Sequence, residues 1–335
     1  MVNSNEFLQP REAVRAMRPY TPPTQGRENA MRLDFNENTI GCSPAVLEAI
    51  TSALTGDRLA MYPEYNTALS YVAAFLDVPQ DNIMLTNGTD EAIQVLVNTF
   101  IEPGSELLIL HPSYAMYRFY AEVAGVKVHE VDYNVEDGLR FPLQALLDAI
   151  KPNTRAIFVA NPNNPTGTYN SHNDFVNMMK EIPSSVLVIL DLAYFEYVDK
   201  NDYVNTQLLL NQFPNLLVTK TFSKIQGLAS LRIGYGLGSK KIMKIFNKIR
   251  QPFNTNSLAQ EAAFHAINDK EHIQKSIDLN NTERKRVSLE LESMGFNCIP
   301  SQGNFIAFKG NFNPIESISF SNHCNIVLVY ASVSS

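Results

Sequence analysis

Residues Asn82–Phe100 read NIMLT-NGTD-EAIQVLVNTF. The first five carry no charge and suit extended backbone. Four small polar residues follow, Asn87-Gly88-Thr89-Asp90, and apolar side chains then return at helical spacing through Ala92, Ile93, Leu96, Val97 and Phe100. A strand over Asn82–Thr86, a tight polar turn and an amphipathic helix over Asp90–Phe100 are predicted, in that order. The pattern recurs: short apolar runs stand at Leu107–Leu110 (before a helical segment centred on Tyr117), Ala156–Ala160, Val186–Leu190 and Leu216–Thr219. Most are β-branched and nearly continuous, as in strands buried on both faces. Strand–helix alternation of this kind predicts an α/β fold with a mainly parallel sheet.

Around this unit the composition changes. The first 30 or so residues are polar, with a proline cluster at Pro19, Pro22 and Pro23, and read as an arm that packs on something else. From Lys240 the chain turns helical, through KKIMKIFNKI, Asn256–Ile267 and Lys270–Met294, and closes on strand-like IAF and NIVLVY. A smaller C-terminal unit is expected there. With 335 residues the chain can bury roughly three quarters of its unfolded surface, so it needs no metal or disulfide staple. A net charge of −7 opposes binding to nucleic acid or an anionic membrane, so any phosphate must be held locally. No apolar run approaches the roughly 18 residues of a membrane span, and the N-terminus lacks a signal-peptide core. Cys42, Cys298 and Cys324 lack CxxC spacing, and the six histidines show no HxxxH or HExxH pairing. A soluble, cytoplasmic protein with reduced thiols and no metal site is expected.

In an open parallel sheet, ligands bind beyond the carboxyl ends of the strands, and four polar clusters fall there. Asn87-Gly88-Thr89-Asp90 is either a phosphate cradle at a helix N-terminus or an ordinary N-cap by Thr89 or Asp90. Asn163-Asn164-Pro165-Thr166-Gly167 is a turn by composition, or a rigid ligand-contacting loop whose asparagine amide meets a phenolate-type oxygen. Asp191 ends a buried apolar strand; it serves either as a partner for nearby donors or as the counter-charge to a cationic ring nitrogen. Lys220, Ser223, Lys224 and Arg232 gather after Leu216–Thr219, the composition of an anion site beside a Schiff-base lysine. The run Gly234-Tyr235-Gly236-Leu237-Gly238 lacks the third glycine and the acidic position of a dinucleotide fingerprint.

The order and combination of these clusters resemble the fold-type-I, pyridoxal-phosphate-dependent class I/II aminotransferases, and most of all their histidinol-phosphate aminotransferase branch. The carriers run from Pro19 to Phe305: PYTPP, LDFNEN (Leu33–Asn38), MYPEY (Met61–Tyr65), NGTDEAI, HPSYAMY, NPNNPTGT, DLAYFEY, TFSK with LRIGYG, and GNF (Gly303–Phe305). The resemblance implies an N-terminal arm (1–32), a large domain (33–250) with a mainly parallel seven-stranded sheet flanked by helices, and a smaller α+β domain (251–335). It implies pyridoxal 5'-phosphate as cofactor, Lys224 as the Schiff-base lysine and proton carrier, and Asp191 as the carboxylate that keeps the pyridine nitrogen protonated. Asn164 and Tyr194 match the donors to the cofactor's phenolic oxygen, and Tyr114 the ring stacked on its face. Gly88, Thr89, Asp90, Thr221, Ser223 and Arg232 match the phosphate cup. Tyr62 matches a tyrosine that reaches the phosphate of the partner subunit's site, which implies a homodimer; Tyr20 and Asn36 match substrate-side positions.

The implied activity is transamination between glutamate and a keto acceptor such as imidazole-acetol phosphate, in histidine biosynthesis, or on a related amino acid. A lyase of the threonine-phosphate decarboxylase type shares most of these motifs. The C-terminus departs from the pattern: Val329 stands where an arginine follows the strand in relatives, and the last arginine is Arg286. Either other groups grip a different substrate, or the tail VYASVSS (Val329–Ser335) reflects truncation or a shifted frame that weakens the enzyme.

Overall fold

The computed structural model describes residues 8–20, 33–134, 136–309 and 327–330. Seven strands form one sheet: β1 (Ile83–Thr86), β2 (Glu106–His111), β3 (Lys127–Asp132), β4 (Thr154–Ala160), β5 (Leu187–Asp191), β6 (Leu216–Thr221) and β7 (Gly234–Gly238). Their spatial order is β1-β7-β6-β5-β4-β2-β3, and only the β7 pairings, with β1 and β6, are antiparallel. The helices are α1 (Glu12–Ala16), α2 (Pro44–Ala53), α3 (Gly56–Ala60), α4 (Tyr65–Leu76), α5 (Gly88–Phe100), α6 (Ala115–Ala124), α7 (Leu143–Asp148), α8 (His172–Glu181), α9 (Thr206–Gln212), α10 (Lys240–Phe246), α11 (Ser257–Asn268) and α12 (Lys270–Ser293).

The continuous apolar runs are explained by what covers them. Leu108, Leu110, Ile157, Val159, Val188 and Leu190 enter one core with residues of α4, α8 and α11. Their neighbours Leu107, Ile109, Ala156, Phe158, Leu187 and Ile189 enter a second core with α5, α6 and α10. Both faces of β2, β4 and β5 are therefore covered along these runs, whereas the edge strand β3 keeps polar residues at its surface.

The small unit has its own core of Val287, Leu291, Ile306 and Phe308. There β9 (Phe305–Lys309) pairs antiparallel with β8 (Asn297–Cys298) and parallel with β10 (Val327–Tyr330). The expected division falls at residue 250. Ala259, Ala262, Ala263 and Ala266 of α11 belong to the large core, so we place the start of the small unit at Lys270, with α12. Small side chains let α11 lie close to its neighbours. The described part of the arm lies against α6, where Arg11 Nη2 donates to Val123 O at 2.5 Å. The tail past Tyr330 and Cys324 lie outside the described residues.

Candidate active site

Asp191 closes β5 in register with Ala160 and Thr219, at the carboxyl edge of the sheet. It is buried; Tyr117 Oη donates to its Oδ2 at 2.7 Å and Ala193 N–H to its Oδ1 at 3.1 Å. Burial pushes its pKa up to about 6, against the pull of those donors. A carboxylate so placed is matched to a cation that would restore its charged form.

Tyr194 stands three residues on, buried, with its ring edge-on to Phe305 at 4.9 Å. Its oxygen accepts from Asn36 Nδ2 at 2.9 Å and from Asn164 Nδ2 at 3.3 Å. Two amide donors on one phenol oxygen leave its own proton free for a further acceptor. Asn36 adopts a left-handed backbone (φ 52°), which asparagine tolerates, and its carbonyl accepts from Asn304 Nδ2 at 3.1 Å. The loop after β4 is braced from inside: Asn163 Nδ2 donates to Thr166 Oγ1 at 2.9 Å and to Pro112 O at 3.0 Å. These bonds tie the Asn163–Gly167 turn to itself and to the segment after β2.

The two lysines at the end of β6 separate cleanly: Lys220 lies in the strand and Lys224 follows it. Lys220 is buried and ion-paired with Glu196 at 2.6 Å. Burial works against its charge, but Glu196 and Tyr235 outweigh that and hold its pKa above the ordinary lysine range. Such an ammonium is no nucleophile. Lys224 is different: its Nζ donates to a carbonyl, Phe35 O, at 2.7 Å and lies 5.5 Å from the centroid of the Tyr194 ring.

At the other end of the cluster, α5 begins at Gly88, two residues before the expected Asp90. Asn87 makes no side-chain cap, and Glu91 reaches back to Asn87 N–H at 2.5 Å. Thr89 and Asp90 are thus in the first turn and are not caps. Thr89 Oγ1 is buried without a hydrogen-bond partner among the described residues. Gly88 has φ +68°, and a Cβ there would stand 2.6 Å from Arg232 Nη2. Arg232 is itself left-handed (φ 52°), and its Nη2 lies 3.3 Å from Asp90 Oδ2. Asp90 Oδ1 accepts from Tyr114 Oη at 3.0 Å. Thr221 and Ser223 are buried nearby in sequence, joined by the Ser223 N–H to Thr221 Oγ1 bond at 3.0 Å. A helix N-terminus, a hydroxyl without a partner among the described residues and a guanidinium thus stand together, groups that could hold an anion.

The structure thus brings together Asn36, Asn164, Tyr194 and Lys224, and separately Gly88, Thr89, Asp90, Tyr114 and Arg232. Tyr20 lies outside both groups, half exposed in a groove with Met116 and Phe119. Tyr62 is 78% exposed and stacks on Phe253, with centroids 4.5 Å apart. Sequence reasoning missed Tyr117, although its i,i+3 spacing from Tyr114 puts both rings on one helix face. Asn304 and Phe35 lie within the GNF and LDFNEN motifs, but the sequence assigned no role to the Asn304 amide or the Phe35 carbonyl.

These groups fit pyridoxal phosphate: an anion-holding cluster for its phosphate, a buried carboxylate for its ring nitrogen, a phenol and an amide for its phenolic oxygen, and a lysine that donates to a carbonyl. The chain matches the family Aminotransferase class I and II across residues 28–320, and it belongs to that family. It is similar to the histidinol-phosphate aminotransferase of Bacillus licheniformis, 39% identical over 310 residues, or 90% of this chain and 85% of that one. The Geobacillus counterpart is 38% identical over 303 residues, covering 88% and 82%. Among solved structures it resembles histidinol-phosphate aminotransferase from Sinorhizobium meliloti in complex with pyridoxal-5'-phosphate. That likeness has a TM-score of 0.84 and 26% identity, over 92% of this chain and 84% of that one.

Proposed function

We propose that this protein is a pyridoxal-phosphate-dependent histidinol-phosphate aminotransferase, moving an amino group between glutamate and imidazole-acetol phosphate in histidine biosynthesis. The observation that carries the reading is the meeting of Asn164, Tyr194 and Lys224 at the sheet edge where Asp191 closes β5. The 38–39% identity to relatives of that name supports the substrate.

When bound, pyridoxal phosphate supplies an electron sink for the bond broken at the substrate's Cα. The chain's residues do the rest. Thr89, Thr221, Ser223, Arg232 and the α5 N-terminus hold the phosphate. Asp191 holds a proton on the ring nitrogen, and Tyr117 fixes the Asp191 carboxylate through its 2.7 Å bond. Asn164 and Tyr194 orient the phenolic oxygen, and Tyr114 covers the ring. Lys224 would tether the cofactor and carry the proton to and from the substrate, with Phe35 O, which accepts from its Nζ at 2.7 Å, as a resting acceptor. We assign Asn36 and Tyr20 to the substrate side. The exposed Tyr62 fits a homodimer in which it completes the partner subunit's phosphate site, and a cytoplasmic location fits such an enzyme.

The test is spectroscopic. Protein loaded with pyridoxal phosphate is expected to show a visible band that bleaches with L-glutamate and with L-histidinol phosphate. Lys224→Ala should cut turnover on the order of 10,000-fold, as loss of a proton carrier does. A band unmoved by both compounds, with CO2 released from L-threonine O-phosphate, would instead place the protein among the lyases.

A further inference from the structure

Lys220 is a buried lysine for which the reaction has no use. Its side chain is 11% exposed, and its Nζ lies 2.6 Å from Glu196 Oε1 and 4.7 Å from the centroid of the Phe195 ring. On the neighbouring strand it stands in register with Tyr235, whose hydroxyl also faces the ammonium. A charge taken so far out of water is seldom kept for stability, because an apolar pair of the same size would do as well. Its place in the fold suggests why it is kept. Glu196 lies two residues after Tyr194, in a 3₁₀ turn (Phe195–Tyr197) that Tyr194 itself opens. Lys220 lies four residues before Lys224, on β6. The last backbone rung between the two segments is Leu192 N–H to Thr219 O, at 2.9 Å. Beyond it the chains part, one leading to the phenol and the other to the amine. The ion pair crosses that gap.

We propose that the Lys220–Glu196 pair positions Tyr194 against Lys224, fixing the phenol that orients the cofactor without touching cofactor or substrate. The two amide donors locate the Tyr194 oxygen, but they come from loops and do not fix the other end of the ring. The turn that carries the Tyr194 backbone is held sideways by the charge-assisted bond to Glu196, with Phe195 wedged beneath the ammonium. Loss of the pair lets the turn shift, and an error of about 1 Å at the phenol is enough to cost on the order of a hundredfold in rate.

This inference rests on the assignment of Tyr194 and Lys224 to the cofactor. It is tested with Lys220→Met, Glu196→Gln, the double variant and Lys220→Arg. Removing one charge from a buried pair can unfold a protein, whereas removing both is close to neutral, so the double variant guards against a chain that fails to fold. The readouts are the pH midpoint of the visible band in the loaded protein, kcat and KM for glutamate, and the thermal midpoint of the cofactor-free chain. A phenol that drifts withdraws a donor from the negative form of the chromophore. The band's pH midpoint should therefore rise, by about one unit, in both single variants and in the double variant. We expect kcat to fall at least about tenfold with the glutamate KM within about twofold, the split that marks an interaction made in the transition state. Lys220→Arg, which keeps the charge, should restore both. A thermal midpoint that drops while the band and kcat stay put would make the pair a structural staple and overturn the proposal. Absence of any visible band in the unmodified, cofactor-loaded chain would overturn the assignment of Lys224 itself, and the proposal with it.

Discussion

At Asp191 a carboxyl group lies in the sheet's interior with two hydrogen-bond donors and a pKa raised by burial from 3.8 to about 6. Between those values the folded chain holds a proton that the unfolded chain has released. Stability therefore falls as pH rises through that window, and above it the group costs the cofactor-free fold about 3 kcal/mol. A cation bound at the carboxylate would offset that cost. We expect Asp191→Asn to stabilise the cofactor-free protein at pH 8 by about 1–3 kcal/mol and to have little effect near pH 4, read from urea midpoints. The same change should lower kcat by about a hundredfold or more, since an amide cannot hold the ring proton. Equal shifts at the two pH values would contradict the argument. Asp191 was legible because it ends five apolar residues; Tyr117 was not, because 74 residues separate it from the carboxylate it serves. Local pattern marks the group that is costly to bury and is silent on the distant one that makes it useful.

The element that we propose holds the cofactor's phosphate is the start of α5. Its first residue, Gly88, is left-handed (φ +68°), which costs any other residue about 1–2 kcal/mol. A methyl group there would also press on Arg232 Nη2 at 2.6 Å. Because that atom is the far end of a flexible side chain, the fold yields by moving the guanidinium out of the cup. Gly88→Ala should thus lose only about 1–2 kcal/mol of stability while weakening pyridoxal phosphate binding about tenfold or more. Titration of the cofactor-free variant followed by absorbance checks this, and an unchanged Kd would sink it. The strand before this helix and the helix's amphipathic face were legible in the sequence, since both follow from short-range apolar spacing. The helix start was misplaced at Asp90 because Thr and Asp are common caps. Glu91 supplies the bond to Asn87 N–H from inside the helix, and a glycine with φ above zero opens the first turn earlier.

Across the whole molecule, the small unit meets the large one at the loop Ser301–Asn304. Gln302 N–H donates to Gly167 O at 2.8 Å, and Asn304 Nδ2 to Asn36 O at 3.1 Å. Arg284 of α12 steadies the loop by donating to Gly303 O at 2.9 Å, and it pairs with Asp199 of the large unit at 3.0 Å. None of this was legible in the sequence. Composition announced helices after Lys240, but it could not say that α11 joins the large core while α12 carries the small one. That distinction lies in what each helix touches. Gly167 is one point where the two units touch, and it ends the loop that presents Asn164 to Tyr194. A Cβ at Gly167 would stand 2.2 Å from Ser301 Oγ and 2.9 Å from the Ser301 backbone, on a residue already at φ +73°. The side-chain atoms can be removed, but the backbone cannot move without opening the interface. Gly167→Ala should then cost about 3 kcal/mol, combining left-handed strain with overpacking. Adding Ser301→Gly should recover only part of that loss, because the strain and the clash with the Ser301 main chain both remain. Denaturant unfolding of the single and double variants measures the two contributions. Full recovery in the double variant would show that the clash is with the Ser301 side chain alone and that neither the main-chain contact nor the left-handed strain carries weight. Partial recovery, with kcat still depressed, would tie the docking of the small unit to the placement of Asn164 and Asn36 around the Tyr194 oxygen.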